Sequence, residues 1–113
     1  MGNMNELLLD ASRIGDINKV KELLDKGADK EAKNNNGDTP LIMASYEGHT
    51  EVVKLLLIKG ADKEAKDKYA YTPLMWASIN RHTETVKLLL EYEADENAKN
   101  NGGNTPLILA SRY

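Results

Sequence analysis

Two histidines, His49 and His82, are the side chains of this sequence best suited to proton or metal chemistry at neutral pH. Each is followed by Thr and Glu, at 49–51 and again at 82–84. An imidazole beside a carboxylate could bind a metal ion or act as an acid–base pair. The two segments lie one internal repeat apart, however, so we expect each histidine to cap a helix and the two not to share a site.

The remaining residues offer no pattern of a catalytic or cofactor-binding centre. The sequence contains no cysteine, which excludes disulfides and thiolate metal sites and fits a reducing intracellular, cytoplasmic setting. No nucleophile, base and orienting group converge by spacing, and there is no glycine-rich phosphate-binding loop. We therefore expect no enzyme activity, no cofactor and no metal ion.

The composition is that of a folded, soluble domain that binds neither nucleic acid nor membrane. Of 113 residues, 41% are hydrophobic and 29% are charged. The net charge of -3 comes from 15 basic and 18 acidic residues, which are spread along the chain with no basic stripe. The longest apolar runs, such as 55–58, are far too short to span a bilayer.

These residues belong to units that repeat about every 33 residues. Thr-Pro-Leu occurs at 39–41, 72–74 and 105–107, Ala-Ser follows at 44–45, 77–78 and 110–111, and a further Ala-Ser stands at 11–12. The second half of each unit also recurs, with Val and paired Leu at 20–24, 53–57 and 86–90. So many matches in register indicate a repeat architecture whose core forms only when the units stack.

Within a unit the local signals predict two short helices joined by a tight turn. Thr39 is a good N-cap and Pro40 suits the first helical position, where no backbone donor is needed. This helix is expected to end near Tyr46, with a turn at 47–49, and Gly60 is expected to close the second helix in the left-handed conformation. Helices of this length are stable only when they pack on a neighbouring unit.

Two further segments predict structure outside the helices. Asn36-Gly37 and Asn101-Gly102 are strong two-residue hairpin signals, because both residues tolerate positive φ. The charged run at 29–33, repeated at 62–66, is interpreted as a solvated face with balanced charge. The alternative is a charged rim that steers a partner, which would make association depend on salt.

The unit that reads Asn-Gly-Asp-Thr-Pro-Leu at 36–41, Gly-His at 48–49, Val-Val at 52–53 and Gly-Ala-Asp at 60–62 resembles an ankyrin repeat, and the resemblance covers nearly the whole chain. It implies an all-α solenoid of stacked helix-turn-helix units with projecting β-hairpin fingers. The implied division is an N-terminal capping repeat (1–33), two repeats (34–66 and 67–99) and an incomplete C-terminal repeat with one helix only (100–113).

The sequence departs from the family pattern in two places of the first helix. The family usually has a histidine after Thr-Pro-Leu whose ring hydrogen-bonds locally, but here Ile42, Met75 and Ile108 occupy that place, so apolar packing must substitute. The second alanine of the helix is serine in every unit, at 12, 45, 78 and 111. Because serine is small and still lets helices approach closely, we expect this change to be benign.

The third unit replaces three glycines of the second: Ala70 stands in place of Gly37, Arg81 in place of Gly48 and Glu93 in place of Gly60. If these positions keep positive φ, each replacement costs on the order of 1 kcal/mol. Either the backbone differs there or the unit is strained. The last unit has no second helix, so residues 107–109 should be poorly covered. The alternatives are that the chain is a fragment of a longer array, that its end frays, or that it self-associates through this face.

The resemblance implies that a protein or peptide partner binds the concave side, formed by the fingers and the first helices. The candidate partner-binding residues are Asn36, Asp38, Met43, Tyr46, Lys68, Tyr69, Tyr71, Trp76, Ile79, Asn80, Asn104 and Leu109. They include most of the aromatic residues, and Trp and Tyr often anchor interfaces. We therefore centre the predicted surface on Trp76. The alternatives are that Trp76 only fills a gap between helices, and that the chain is a solenoid spacer or an engineered scaffold without its own partner.

Overall fold

The computed structural model describes residues 3–113, and over this range the chain forms helices and turns but no strand. The helices are α1 (Met4–Ile14), α2 (Ile17–Asp25), α3 (Pro40–Glu47), α4 (Thr50–Ile58), α5 (Pro73–Ile79), α6 (Thr83–Glu91) and α7 (Pro106–Arg112). The first helices α1, α3, α5 and α7 pack in one row, and α2, α4 and α6 form a second row behind them. The two-layered stack measures 41 × 26 × 21 Å. No helix within residues 3–113 is long and apolar enough to cross a membrane.

The first helices of the three later units begin as the sequence predicts. Thr39 Oγ1 accepts a hydrogen bond of 3.2 Å from the backbone N–H of Ile42, and Thr72 and Thr105 cap α5 and α7 in the same way. A proline at the first helical position follows each of these caps. This repeated start fixes the direction in which every first helix leaves its finger.

The core lies between the two rows of helices and runs through the stack. Its fully buried side chains include Leu8, Val20, Leu41, Val53, Leu56 and Leu89. Ile42 and Met75, which replace the family's histidine, are buried as well, so the expected apolar packing is confirmed for these two and is wrong for the exposed Ile108. The Met75 Sδ also accepts a weak hydrogen bond of 3.5 Å from the Thr72 N–H, which partly replaces the missing imidazole contact.

The serines of the first helices are not equivalent, and the expectation that they are benign is wrong for two of them. Ser12 and Ser45 are fully buried, and neither hydroxyl finds a hydrogen-bond partner within the described residues. Ser78 is less buried and donates to the carbonyl of Leu74 at 2.7 Å. A buried hydroxyl without a partner is destabilising, because its hydration is lost and nothing replaces it.

We therefore expect Ser45→Ala to stabilise the protein, by about 1 kcal/mol in the free energy of unfolding. The matched control is Ser78→Ala, which removes a hydroxyl that is bonded and should change stability little. Urea unfolding followed by circular dichroism measures both. A loss of stability in Ser45→Ala would mean that the hydroxyl has a partner after all.

The fingers differ from the expected β-hairpins. In the second unit the backbone forms only a turn, with hydrogen bonds from the Asn34 N–H to Asp38 O and from the Gly37 N–H to Asn34 O. Only Gly37 of the predicted Asn-Gly pair has positive φ, at 78°. In the fourth unit the positive φ falls on Gly103 and not on the predicted Asn101-Gly102 pair, because the turn there begins at Asn100. The Lys68 N–H donates a hydrogen bond of 2.9 Å to Asn36 O, which joins the fingers of the second and third units edge to edge.

The two histidines connect successive units, and the prediction that they cap the second helices is confirmed in position but not in a side-chain hydrogen bond. They stand at the N-cap positions of α4 and α6, but neither side chain makes a capping hydrogen bond. His49 Nε2 donates to the carbonyl of Arg13 and His82 Nε2 to that of Tyr46, both at 2.9 Å. Each ring therefore reaches back to the end of the preceding unit's first helix.

The charged run also contributes to the stack, beyond the solvated face that the sequence predicts. Glu31 accepts a hydrogen bond of 2.9 Å from the backbone N–H of Asp62, and Glu64 accepts the equivalent one, of 2.8 Å, from Asp95. The same contact recurs between successive units. One acidic residue of each charged run therefore joins its unit to the next one.

The three positions of the third unit that lost glycine keep the left-handed backbone, so the unit is strained. The φ angles are 65° at Ala70, 60° at Arg81 and 65° at Glu93. Conformations of this kind are unfavourable for residues with a Cβ atom. The stack evidently fixes the turn geometry firmly enough to impose it on these three residues.

The C-terminal end of the stack exposes apolar side chains. Leu107 is 76% exposed and Ile108 is 41% exposed, whereas their counterparts one unit earlier, Leu74 and Met75, are buried. The prediction is wrong for Leu109, which is buried on the side where α7 packs against α5. This open face therefore consists of Leu107 and Ile108, with the exposed Tyr113 nearby in the chain.

Candidate functional site

The fingers and the first helices enclose one concave pocket of about 680 Å³. Nine of the twelve candidate residues line it: Asn36, Asp38, Met43, Tyr46, Lys68, Tyr69, Tyr71, Trp76 and Asn104. They come from the second, third and fourth units, so the stacking of units creates the pocket. We refer to it below as the concave pocket.

Three aromatic rings form a connected group in this pocket. Trp76 stacks on Tyr71, with ring centroids 4.5 Å apart and planes inclined by 20°. On another side it contacts Tyr46, at 5.0 Å and 59°. Tyr71 directly precedes the cap of α5, Trp76 lies within α5, and Tyr46 lies near the end of α3. The group thus bridges two successive units, and half-buried Trp76 is its centre.

Asp67 fixes Trp76 and was not among the candidate residues. Its Oδ2 accepts a hydrogen bond of 3.0 Å from the indole Nε1–H of Trp76. Its Oδ1 accepts the backbone N–H groups of Tyr69 and Tyr71, at 2.9 and 3.0 Å, which closes the finger turn. One carboxylate therefore shapes the finger and orients the indole.

A signal for Asp67 exists in the sequence. Asn34 and Asn100 occupy the same place in the neighbouring units and accept two backbone N–H groups in the same manner. A side-chain oxygen that recurs at the start of each finger is typical of an Asx turn. The Asn-Gly dipeptides predict turns at residues that follow this position, so they do not single out Asp67.

Asp38 is a second half-buried carboxylate of the concave pocket, beside Asp67. Its Oδ2 accepts only a long hydrogen bond, of 3.4 Å, from Asn34 Nδ2, and no other partner of its side chain lies within residues 3–113. Burial raises the pKa of Asp38 above its usual value, and the nearby charge of Asp67 raises it further. The hydrogen bond from Asn34 and the charge of Lys68 oppose this shift.

Asp38→Asn is expected to raise the free energy of unfolding at pH 7. A raised carboxyl pKa means that the folded protein holds this proton more tightly than the unfolded chain does, so ionised Asp38 weakens folding at neutral pH. That penalty fades as the pH falls through the folded-state pKa and is gone below the unfolded value of about 3.9. The free energy of unfolding of Asp38→Asn and of the unaltered protein is measured from pH 7 to pH 3. The difference in favour of Asp38→Asn should shrink as the pH falls. Asp25→Asn, at an exposed carboxylate of α2 outside the pocket, is the matched control.

Three candidate residues do not line the pocket. Leu109 is buried against α5, as described above, and is 1% exposed. Asn80 lies at the end of α5, where its Nδ2 donates to the carbonyl of Tyr46 at 3.0 Å, so it joins two units. Ile79 is half-buried beside it and contributes nothing to the pocket wall. Ile79 is the last residue of α5 and Asn80 is its C-cap, so both lie beyond the part of the helix that lines the pocket.

A family model described as ankyrin repeats (3 copies) matches residues 7–100 and 57–113, which together cover nearly the whole sequence. With the stacked helix pairs and the caps described above, this match shows that the chain belongs to the ankyrin-repeat family. Members of this family are in general protein–protein interaction modules and typically not enzymes. No curated protein matches the chain significantly.

Proposed function

We propose that this protein binds a protein partner through a peptide segment that enters the concave pocket, with Trp76 as the central contact. The observation that carries the proposal is the connected group of Tyr46, Tyr71 and Trp76 in a pocket open to solvent. Trp and Tyr bury large areas with few rotatable bonds and are enriched among residues that dominate binding energy.

The pocket is preorganised, which favours binding. Asp67 holds the indole N–H of Trp76, and the stacked Tyr71 ring restricts its rotation. Side chains that are fixed before binding lose less conformational entropy when a partner arrives. Tyr69 and Tyr46 remain 56% and 44% exposed, so apolar surface is still available to a partner.

The size of the pocket favours an extended segment over a small metabolite. Its volume of about 680 Å³ lies within the range of ligand pockets, but its lining comes from all four units and it is open to solvent. A few successive side chains of a peptide would fill it. The alternative, a solenoid spacer or scaffold with no partner, would leave this preorganised group without a binding role.

Panning a random peptide library against the immobilised protein tests the proposal. Selected peptides should quench or shift the emission of Trp76, the single tryptophan of the chain, and should lose binding to Trp76→Ala. Ile58→Ala, at an exposed apolar residue of α4 outside the pocket, is the control and should bind as the unaltered protein does. If no selected peptide depends on Trp76, the spacer alternative is favoured.

We further propose that the C-terminal face, formed by Leu107 and Ile108, binds a second copy of the chain at high concentration. In the inner units the equivalent positions are covered by the next unit, so this face has the shape of a repeat interface without its partner. Leu107→Glu should reduce the apparent mass in sedimentation at high concentration. The same substitution at exposed Ile58 should leave the mass unchanged, and a strictly monomeric unaltered protein would refute this second proposal.

A further inference from the structure

The concave pocket combines aromatic walls with an excess of acidic over basic side chains. Asp38, Glu47 and Asp67 line it, against Arg13 and Lys68. Both cations are engaged at the rim. The guanidinium of Arg13 pairs with the Asp10 carboxylate at 3.0 Å, and Lys68 Nζ lies 5.2 Å from the centre of the Tyr69 ring. The three carboxylates form no ion pair within the described residues, and with the two cations they give the pocket lining a net charge of one negative unit.

Among these carboxylates, Asp38 is the half-buried one with unused capacity to accept hydrogen bonds, whereas Glu47, which accepts none within the described residues, is exposed to solvent. Both oxygens of Asp67 already accept, from Trp76 and from the finger backbone. Asp38 accepts only the long hydrogen bond from Asn34. A half-buried carboxylate in this state is poorly compensated, and a cation that approached it would gain both charge attraction and a hydrogen bond.

The repeat register places Asp38 beside the aromatic group. Asp38 and Tyr71 occupy the same position in successive units, each directly before the threonine that caps a first helix. Adjacent fingers are joined by the Lys68 to Asn36 backbone hydrogen bond. The Asp38 carboxylate and the stacked rings of Tyr71 and Trp76 are therefore neighbours in the wall of the concave pocket.

We propose that the pocket recognises a basic side chain, Lys or Arg, of the partner peptide, whose cation pairs with Asp38 while its stem lies along Tyr71 and Trp76. This inference rests on the proposed function. Aromatic faces attract cations, and guanidinium groups stack on them readily. An acidic side chain would be repelled by three carboxylates, and an apolar one would desolvate Asp38 without compensation.

The test is to read the residue content of peptides selected from the same random library by the unaltered protein, by Asp38→Asn and by Asp25→Asn. The unaltered protein and Asp25→Asn should enrich Lys and Arg, and Asp38→Asn should not. One selected Arg peptide is then compared with its citrulline form, which keeps the shape and removes the charge. The citrulline form should bind the unaltered protein about tenfold more weakly and Asp38→Asn with little difference.

The outcomes separate this inference from the proposed function. Peptides that depend on Trp76 but show no basic enrichment, or whose enrichment survives in Asp38→Asn, would overturn the inference and leave the binding function intact. A library without any Trp76-dependent peptide would instead contradict the proposed function. Because Asp38→Asn is expected to be at least as stable as the unaltered protein, a thermal unfolding curve shows whether lost selectivity reflects misfolding.

Discussion

Leu74→Ala is expected to lower the free energy of unfolding by about 3 kcal/mol, whereas Leu107→Ala should change it by less than about 0.5 kcal/mol. The two leucines stand in the same Thr-Pro-Leu motif, one repeat apart, at the start of α5 and of α7. Leu74 is 2% exposed within the core, and Leu107 is 76% exposed because no unit covers it in the described chain. Truncation of a buried leucine loses transfer free energy and leaves a cavity, and truncation of an exposed one does neither.

The measurement is urea unfolding followed by Trp76 fluorescence and by circular dichroism, at low protein concentration so that contacts between copies do not cover Leu107. The sequence context of the two sites is nearly the same, so the comparison isolates the effect of the neighbouring unit. Equal losses in the two variants would show that the C-terminal face is covered in solution.

The second large effect is expected for Gly48→Ala, at roughly 2 to 3 kcal/mol of lost stability. Gly48 has φ 75°, and a Cβ atom there would lie 2.5 Å from Nδ1 of His82. The substitution therefore adds backbone strain and displaces the ring that donates to Tyr46. Gly27→Ala is the matched control, because Gly27 has φ 98° but a Cβ atom would meet nothing within 4 Å.

Gly27→Ala should therefore show only the cost of backbone strain, about 1 kcal/mol. Denaturant unfolding of both variants, together with the chemical shifts of the His82 ring, separates strain from the steric clash. If the two variants lose the same stability and the His82 resonances do not move, a Cβ atom at position 48 does not displace the His82 ring. The contact between Gly48 and His82 would then not constrain the fold.

Much of the fold could be predicted from the sequence because it depends on local and periodic signals. The Thr-Pro caps of α3, α5 and α7 involve residues three apart in the chain, and the apolar positions recur in every unit, so one unit predicts the next. The finger turn of the fourth unit was placed one step early, because Asn101-Gly102 is a strong local signal, whereas the turn is set by Asn100. Of two local signals, the side chain of Asn100 therefore sets the turn and the Asn-Gly dipeptide does not.

The pocket was predictable in its composition but not in its detailed arrangement. Aromatic residues at finger and first-helix positions indicated where Tyr71 and Trp76 lie, since the repeat assigns each position to a face. The hydrogen bond from Trp76 to Asp67 depends on side-chain geometry that no spacing rule supplies. The prediction that Leu109 lies on the same surface is wrong, because in the last unit this position is buried where α7 packs against α5, whereas the equivalent Met43 and Trp76 are half-buried.

The contact between a glycine and the histidine of the following unit makes the order of the repeats matter. The rings of His49 and His82 lie against Gly15 and Gly48, so each unit restricts one residue of its predecessor. Arg81 occupies the next such position, and no histidine of a later unit lies against it within residues 3–113. A segment like 67–99 could therefore not be moved by recombination to a place directly before the unit that carries His49. The His49 ring, which now lies against Gly15, would then meet the side chain of Arg81. Tolerance to shuffling in this array is therefore directional, because it depends on the pairing of the turn residue of each repeat with the histidine of its successor.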